Sequence, residues 1–228
     1  MFKAAVDLVL SADSQVVDTL QLSLMVSLGA TLLAALVAVP AGALVALTSF
    51  RGRSIVIVIL NSLMGLPPVL VGLTVYLLLS RSGPLGRFGL LFTPQAMLLA
   101  QAVLVAPIIA ALSRQTIADL WEEYRDEFAA MDVRPLSRTA ALIWDARFSL
   151  MTAILAGFGR ATAEVGAVII VGGNIQGFTR TMTTSIALET SKGNLERAVA
   201  IGIVLIAIIM AINAAVWTTR RMAERYAS

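Results

Sequence analysis

The chain of 228 residues contains neither cysteine nor histidine. Together those absences remove disulfides, thiolate chemistry, haem ligation and the usual zinc sites. A site built from carboxylates alone would survive that exclusion, but no acids are spaced as one, so no metal is expected. Charge is scarce as well: Asp, Glu, Lys and Arg make up 14% of the chain, against 58% hydrophobic residues and a mean hydropathy of +0.88. Soluble domains carry about a quarter charged residues. The composition therefore reads as an all-α integral membrane protein. The net charge of +3 is small; it gives no footprint for nucleic acid, and none is expected as a partner. No Gly-x4-Gly-Lys-Ser/Thr phosphate loop occurs, so the chain cannot harvest ATP by that route. No catalytic residue and no bound cofactor is expected within it.

Five apolar stretches are present, at residues 20–48, 54–80, 95–112, 148–171 and 198–217. The first exceeds the roughly 20 residues needed to cross a bilayer and should tilt or extend past one face; Pro40 is expected to kink it. Its small residues, Gly29, Ala30, Ala34, Ala35 and Gly42, suit close helix packing. Gly65-Leu66-Pro67-Pro68 lies near the middle of the second stretch. Adjacent prolines remove two backbone donors, so that helix should break where neighbouring protein satisfies the freed carbonyls. Such a break can also line a cavity and present backbone to a substrate. Pro94 fits the first turn of the third stretch. Residues Met1 to Asp18 read as a retained segment at the membrane surface, because the apolar run Val6 to Leu10 is short and no small-x-small cleavage site follows.

Between the third and fourth stretches lies a polar island, residues 113–147. It holds 12 of the chain's 31 charged residues. Ile117, Leu120, Trp121, Tyr124 and Phe128 recur at helical spacing with acids on the other face, and Pro135 introduces a second helical run from Leu136 to Ile143. A solvated surface helix is the default for a charge run. The length and compactness of this island favour a docking surface instead. With five spans the termini fall on opposite sides. Ten Arg and Lys lie on the island's side and six on the other, so the island and C-terminus are expected in the cytoplasm and the N-terminus outside.

Two ionisable residues interrupt the fourth stretch. Arg160 falls about twelve residues in, roughly 18 Å along a helix; a cation there costs about 3 kcal/mol on insertion scales and should face protein or water. Glu164 is expected one turn on, on the same face. A structural ion pair and a place in a permeation path explain these residues equally well. The run Thr179 to Ser185 is rich in hydroxyls, suited either to capping a re-entrant helix or to hydrogen-bonding a tetrahedral oxyanion.

Four motifs in order then carry a resemblance. Glu127-Phe128-Ala129-Ala130 followed by Arg134 is similar to the cytoplasmic loop of ABC-importer permeases, Glu-Ala-Ala, three residues, Gly. Leu66-Pro67-Pro68-Val69 with Gly72, then Arg160, Glu164 and Gly166, then Asn174-Ile175-Gln176-Gly177-Phe178-Thr179-Arg180-Thr181, resemble the molybdate and tungstate branch. The runs Ala163 to Ala167, Val171 to Ile175 and Leu188 to Asn194 are most similar to tungstate-type permeases. The family's loop glycine is Arg134 here, and the Leu-Pro pair that usually follows is absent around Asp145 to Phe148.

The resemblance implies a type I ABC importer permease of about five transmembrane helices with a cytoplasmic coupling helix. It implies a homodimer in a bacterial or archaeal plasma membrane, two cytoplasmic ATPase subunits that bind ATP and Mg, and an extracytoplasmic oxyanion-binding protein. Glu127, Phe128, Ala129, Ala130 and Arg134 would couple to the ATPase. Arg160, Glu164, Asn174, Thr179, Thr181, Pro67 and Pro68 would form the pathway or gate. Tungstate is the expected cargo, with molybdate or sulfate the alternatives in class. A passive, ATP-independent channel would need no cytoplasmic helix of this size, and a membrane-embedded enzyme would need more acids at membrane depth than Glu164.

Overall fold

The computed structural model describes residues 14–227 and is helical throughout, with short connections. The expected N-terminal surface segment lies outside the described residues as far as residue 13. Among the described residues three helices are long and apolar enough to cross a membrane, Gln15–Leu47, Pro94–Ala130 and Leu195–Thr219; the number rises to as many as five if each of two bent pairs, Arg53–Leu63 with Pro68–Leu79 and Pro135–Asp145 with Arg147–Thr162, is counted as one span. The chain divides into two compact units.

The first unit takes residues 14–27, 68–100 and 162–227 of the described chain. It contains the start of α1 (Ser14–Leu47), all of α3 (Pro68–Leu79), the start of α4 (Pro94–Ala130), α7 (Gly166–Gly172), α8 (Met182–Ser191) and α9 (Leu195–Ala227). Pro68 and Pro94 each open a helix, where the missing N–H is one that would have no intrahelical partner anyway. α3 packs on α7, and α8 on α9 through Met182, Ile201, Val204 and Leu205. The 81–93 connection folds back by a single 3-10 turn, Gly86–Phe88, and is fixed by the Phe92 N–H donating to the Val171 carbonyl at 2.9 Å.

The second unit takes residues 28–67 and 101–161. Here α1 presents Ala30, Ala34, Ala35, Ala38, Gly42, Ala43 and Ala46 to protein, while Leu32, Leu36, Val37 and Leu44 are exposed. That division is what a bilayer asks of a spanning helix: lipid is as apolar as leucine, so association comes from close backbone approach along a strip of small residues. A Cβ built on Gly42 would stand 2.6 Å from the Ala110 carbonyl oxygen. α2 (Arg53–Leu63) ends where expected, before Pro67-Pro68. Arg53 reaches back to the end of α1, donating from Nε to the Val45 carbonyl at 2.8 Å and from Nη2 to that of Ala46 at 2.9 Å. Two of the helix's last carbonyls are thereby satisfied by a cation, which its dipole also favours.

Two expectations need correction. The helix begun at Pro94 does not stop where hydropathy falls after Leu112; α4 runs on to Ala130, so the island's first helix is the end of a span. The fourth stretch is not one helix: α6 (Arg147–Thr162) ends, and α7 begins at Gly166.

Candidate functional site

The island's two helical runs form an elbow in the second unit. α4 ends at Ala130, and α5 (Pro135–Asp145) starts with Pro135 at its first position. The turn between them is held by Met131 N–H donating to the Glu127 carbonyl at 3.0 Å and Val133 N–H to that of Phe128 at 3.3 Å. Its one left-handed residue is Asp132, with φ 48. Arg134, at the position where the coupling-loop pattern has glycine, has φ −58 and ψ 143. Any side chain adopts that conformation, so arginine there distorts nothing. Below the turn, Ile117, Leu142, Ala146 and Leu150 are buried, with Trp121, Tyr124 and Phe128 packed against them. Trp121 and Phe128 stack with centroids 6.3 Å apart, and the Arg138 guanidinium lies 4.3 Å from the centre of the Trp121 ring. Glu127, Ala129, Ala130 and Arg134 are exposed and Phe128 is half-buried. Phe128 thus anchors the elbow from inside, while the other four offer an exposed face whose charges are Glu127 and Arg134.

α5 and α6 meet at a bend of 70°. Arg160 stands half-buried in the last turn of α6, where a cation favours the negative end of the helix dipole. Glu164 is not one turn further along that helix, as periodicity suggests, because α6 has already ended at Thr162. At the helix end, buried Gln101 donates from Nε2 to the Ala161 carbonyl at 3.0 Å. This contact, sixty residues away in sequence, had no signal in the motifs.

In the first unit Glu164 sits in the break before α7 and is 3% exposed. Its Oε1 accepts from the Ala167 N–H at 3.0 Å, and its backbone carbonyl accepts from Thr183 Oγ1 at 2.9 Å. The side chain therefore satisfies one of the first N–H groups of α7, and its negative charge faces the positive helix end. Pro68 opens α3 close to Gly166; Pro67 is exposed and ends the 28–67 segment of the second unit.

After α7 the chain turns through Gly173 and Asn174, both with positive φ. Thr179 is fully buried: its hydroxyl donates to the Gly172 carbonyl and accepts from the Ile175 N–H at 2.9 Å. Asn174 receives Arg180, Nε to Oδ1 and Nη2 to the main-chain oxygen, each at 3.3 Å. Thr181 caps α8 in a reciprocal box with Thr184. Ser23 of α1 accepts from the Met182 N–H at 2.8 Å and fixes the same helix start. The hydroxyls of Thr179 and Thr181 thus shape the loop, the capping alternative raised by the sequence. At the other end of α8, Glu189 accepts from Asn194 Nδ2 at 2.9 Å and Lys192 Nζ at 3.0 Å; these bonds hold its carboxyl below the ordinary 4.5. No group of three or more metal-ligating side chains occurs among the described residues.

Broken apolar helices, an ionisable residue at a helix break and a polar elbow on the end of a span define a multi-pass membrane protein. Known proteins narrow that class. No family model matches the chain. A "Probable anion ABC transporter permease protein" of Haloferax volcanii is 42% identical over 197 residues, covering 84% of this chain and 85% of its own. The "Tungstate uptake system permease protein TupB" of Peptoclostridium acidaminophilum is 41% identical over 217 residues, 95% of each chain. The protein of that name from Campylobacter jejuni is 37% identical over 212 residues, 93% of this chain and 89% of its own. The chain belongs to the permease family of anion ABC transporters, in its tungstate-type branch.

Proposed function

We propose that this chain forms the membrane path for tungstate in a binding-protein-dependent importer, two copies of it working with a cytoplasmic ATPase dimer and an external oxyanion-binding protein. The observation that carries the reading is similarity to tungstate uptake permeases along nearly the whole length, not over one motif. The elbow of α4 and α5 is the handle on the cytoplasmic side. A short, internally braced corner seated in an ATPase transmits displacement without absorbing it. Because α4 runs unbroken from Pro94 to Ala130, movement at Glu127 to Arg134 enters a span directly, and a rigid-body switch between two packings follows. ATP and Mg belong to the partner, and no bond in the substrate is made or broken.

Arg160, Glu164, Asn174, Thr179, Thr181, Pro67 and Pro68 form or shape the pathway. Arg160 offers an anion a cation in a membrane helix, and Glu164 holds the start of α7. Asn174, Thr179 and Thr181 fix the loop between α7 and α8, while Pro67 and Pro68 keep the second stretch broken. The C-terminus is cytoplasmic and the N-terminus external. The test is uptake of tungstate by cells lacking their own permease, supplied with this chain and its neighbouring ATPase and binding protein. ATP-dependent accumulation, competed by molybdate more strongly than by sulfate, is expected. Accumulation that persists with a hydrolysis-dead ATPase overturns the reading.

A further inference from the structure

One end of the first unit holds a cavity of roughly 360 Å³ that none of these roles uses. The first turns of α1, the 176–180 loop, α8 and the start of α9 enclose it. Its walls carry Thr19, Gln176 and Ser185, the cations Arg180, Lys192 and Arg197, and the carboxylates Asp18 and Glu189. These charges are not equivalent. Glu189 is bonded to Lys192 and Asn194, so that carboxylate and that ammonium largely cancel. Asp18 is solvent-exposed, where water screens it. Arg180 is half-buried, and its two bonds go to neutral oxygens of Asn174. A guanidinium carries five N–H donors in a fixed fork; Asn174 takes two and locks the plane.

We propose that this cavity is a weak binding site for a tetrahedral oxyanion, anchored by Arg180 and flanked by Arg197, Ser185 and Thr19. The inference rests on the oxyanion reading above and adds a station to it. A tetrahedral dianion presents oxygens in four directions and is suited by donors from several walls. A carboxylate on a partner protein presents two oxygens from one side and would leave most of these donors idle. Three cations against two carboxylates leave a net charge of +1, which attracts an anion without trapping it; the expected dissociation constant is on the order of 1 mM, weak enough for rapid release. In the proposed orientation the cavity opens to the outside, where cargo arrives.

The absence of cysteine makes the test direct. Gln176→Cys is introduced into the chain, assembled with its ATPase in nanodiscs, and treated with anionic and cationic methanethiosulfonates of equal size. The anionic reagent is expected to react faster by about tenfold, the lower end of what a charge-lined cleft does to on-rates. Millimolar tungstate or sulfate, at ionic strength matched with chloride, is expected to slow it. Arg180→Gln removes both the preference and the protection, and Arg180→Lys restores the preference but not the protection, which separates recognition from misfolding. Equal rates for the two reagents and no protection by either oxyanion overturn the site. So does protection by the anion-free binding protein alone, which assigns the cavity to a protein contact. Uptake by the wild-type complex is measured in parallel: its failure sinks the transport reading, whereas normal uptake without protection sinks only this station.

Discussion

The contact between α3 and α7 is tight enough to give a signed prediction from geometry. A Cβ on Gly72 would stand 2.7 Å from the Cα of Ala167 and 3.2 Å from its carbonyl oxygen. Both are backbone atoms, which cannot swing aside. Carbon contacts settle near 3.5–4.0 Å, so Gly72→Ala must push the helices apart by about 1 Å. Overpacking of this kind costs about 1–3 kcal/mol, while replacing helical glycine by alanine returns about 0.8–1.0 kcal/mol. The expected balance is a loss of about 1 kcal/mol, and at most about 2. Gly159 supplies the internal control: it lies within α6, and a Cβ there meets nothing within 4 Å. Gly159→Ala should therefore gain up to about 1 kcal/mol from helix propensity alone. Equilibrium unfolding in mixed detergent measures both variants. Uptake should fall for Gly72→Ala, because Ala167 supplies the N–H that Glu164 accepts. A Gly72→Ala protein as stable as its parent, or one matched in loss by Gly159→Ala, would refute the reasoning.

Other residues give sharper functional contrasts. Arg160→Gln should abolish uptake while the complex still assembles, as read by co-purification with the ATPase. On the elbow, Glu127→Lys with Arg134→Glu alters exposed positions and should move stability by no more than about 0.5 kcal/mol, yet uncouple ATP hydrolysis from uptake; equal coupling would show that this face is not the handle. Thr181→Ala should cost about 1 kcal/mol through the lost cap, and Thr181→Ser should recover most of it. The depressed Glu189 carboxyl contributes stability that is present above its ordinary value of 4.5 and is lost as pH falls through the lower folded-state value. Glu189→Gln should lower the melting temperature at neutral pH and flatten its decline in acid.

What the sequence disclosed was set by which physical signal each feature leaves. Pro67-Pro68 and Pro94 mark helix ends because the lost N–H is a local fact, and the structure breaks or starts helices there. Composition marked Leu112 because charge begins again at Arg114, but hydropathy locates the edge of an apolar environment, not the end of a hydrogen-bonded ladder. The apolar positions Ile117, Trp121 and Phe128 kept the helical period, and α4 accordingly continues. The break between Thr162 and Gly166 left little trace: no proline falls in it, and Glu164 was placed by a periodicity that had already ended. Capping by Thr181 was readable as one of two uses of a hydroxyl-rich run, since Thr184 stands three residues on. Asp132 takes its left-handed turn without glycine, so the position carrying the pattern's glycine gave no guide to the turn. Long-range ties such as Gln101 to Ala161 depend on tertiary packing and carry no local pattern.

The central claim is that a membrane path without its own engine takes work from a partner through the α4–α5 elbow. Tungstate flux into proteoliposomes, with the external binding protein present and the ATPase added or withheld, tests it most directly. Flux should appear only with the ATPase and ATP, and should vanish when Glu127 and Arg134 are reversed in charge. Flux carried by this chain with no nucleotidase present would contradict it.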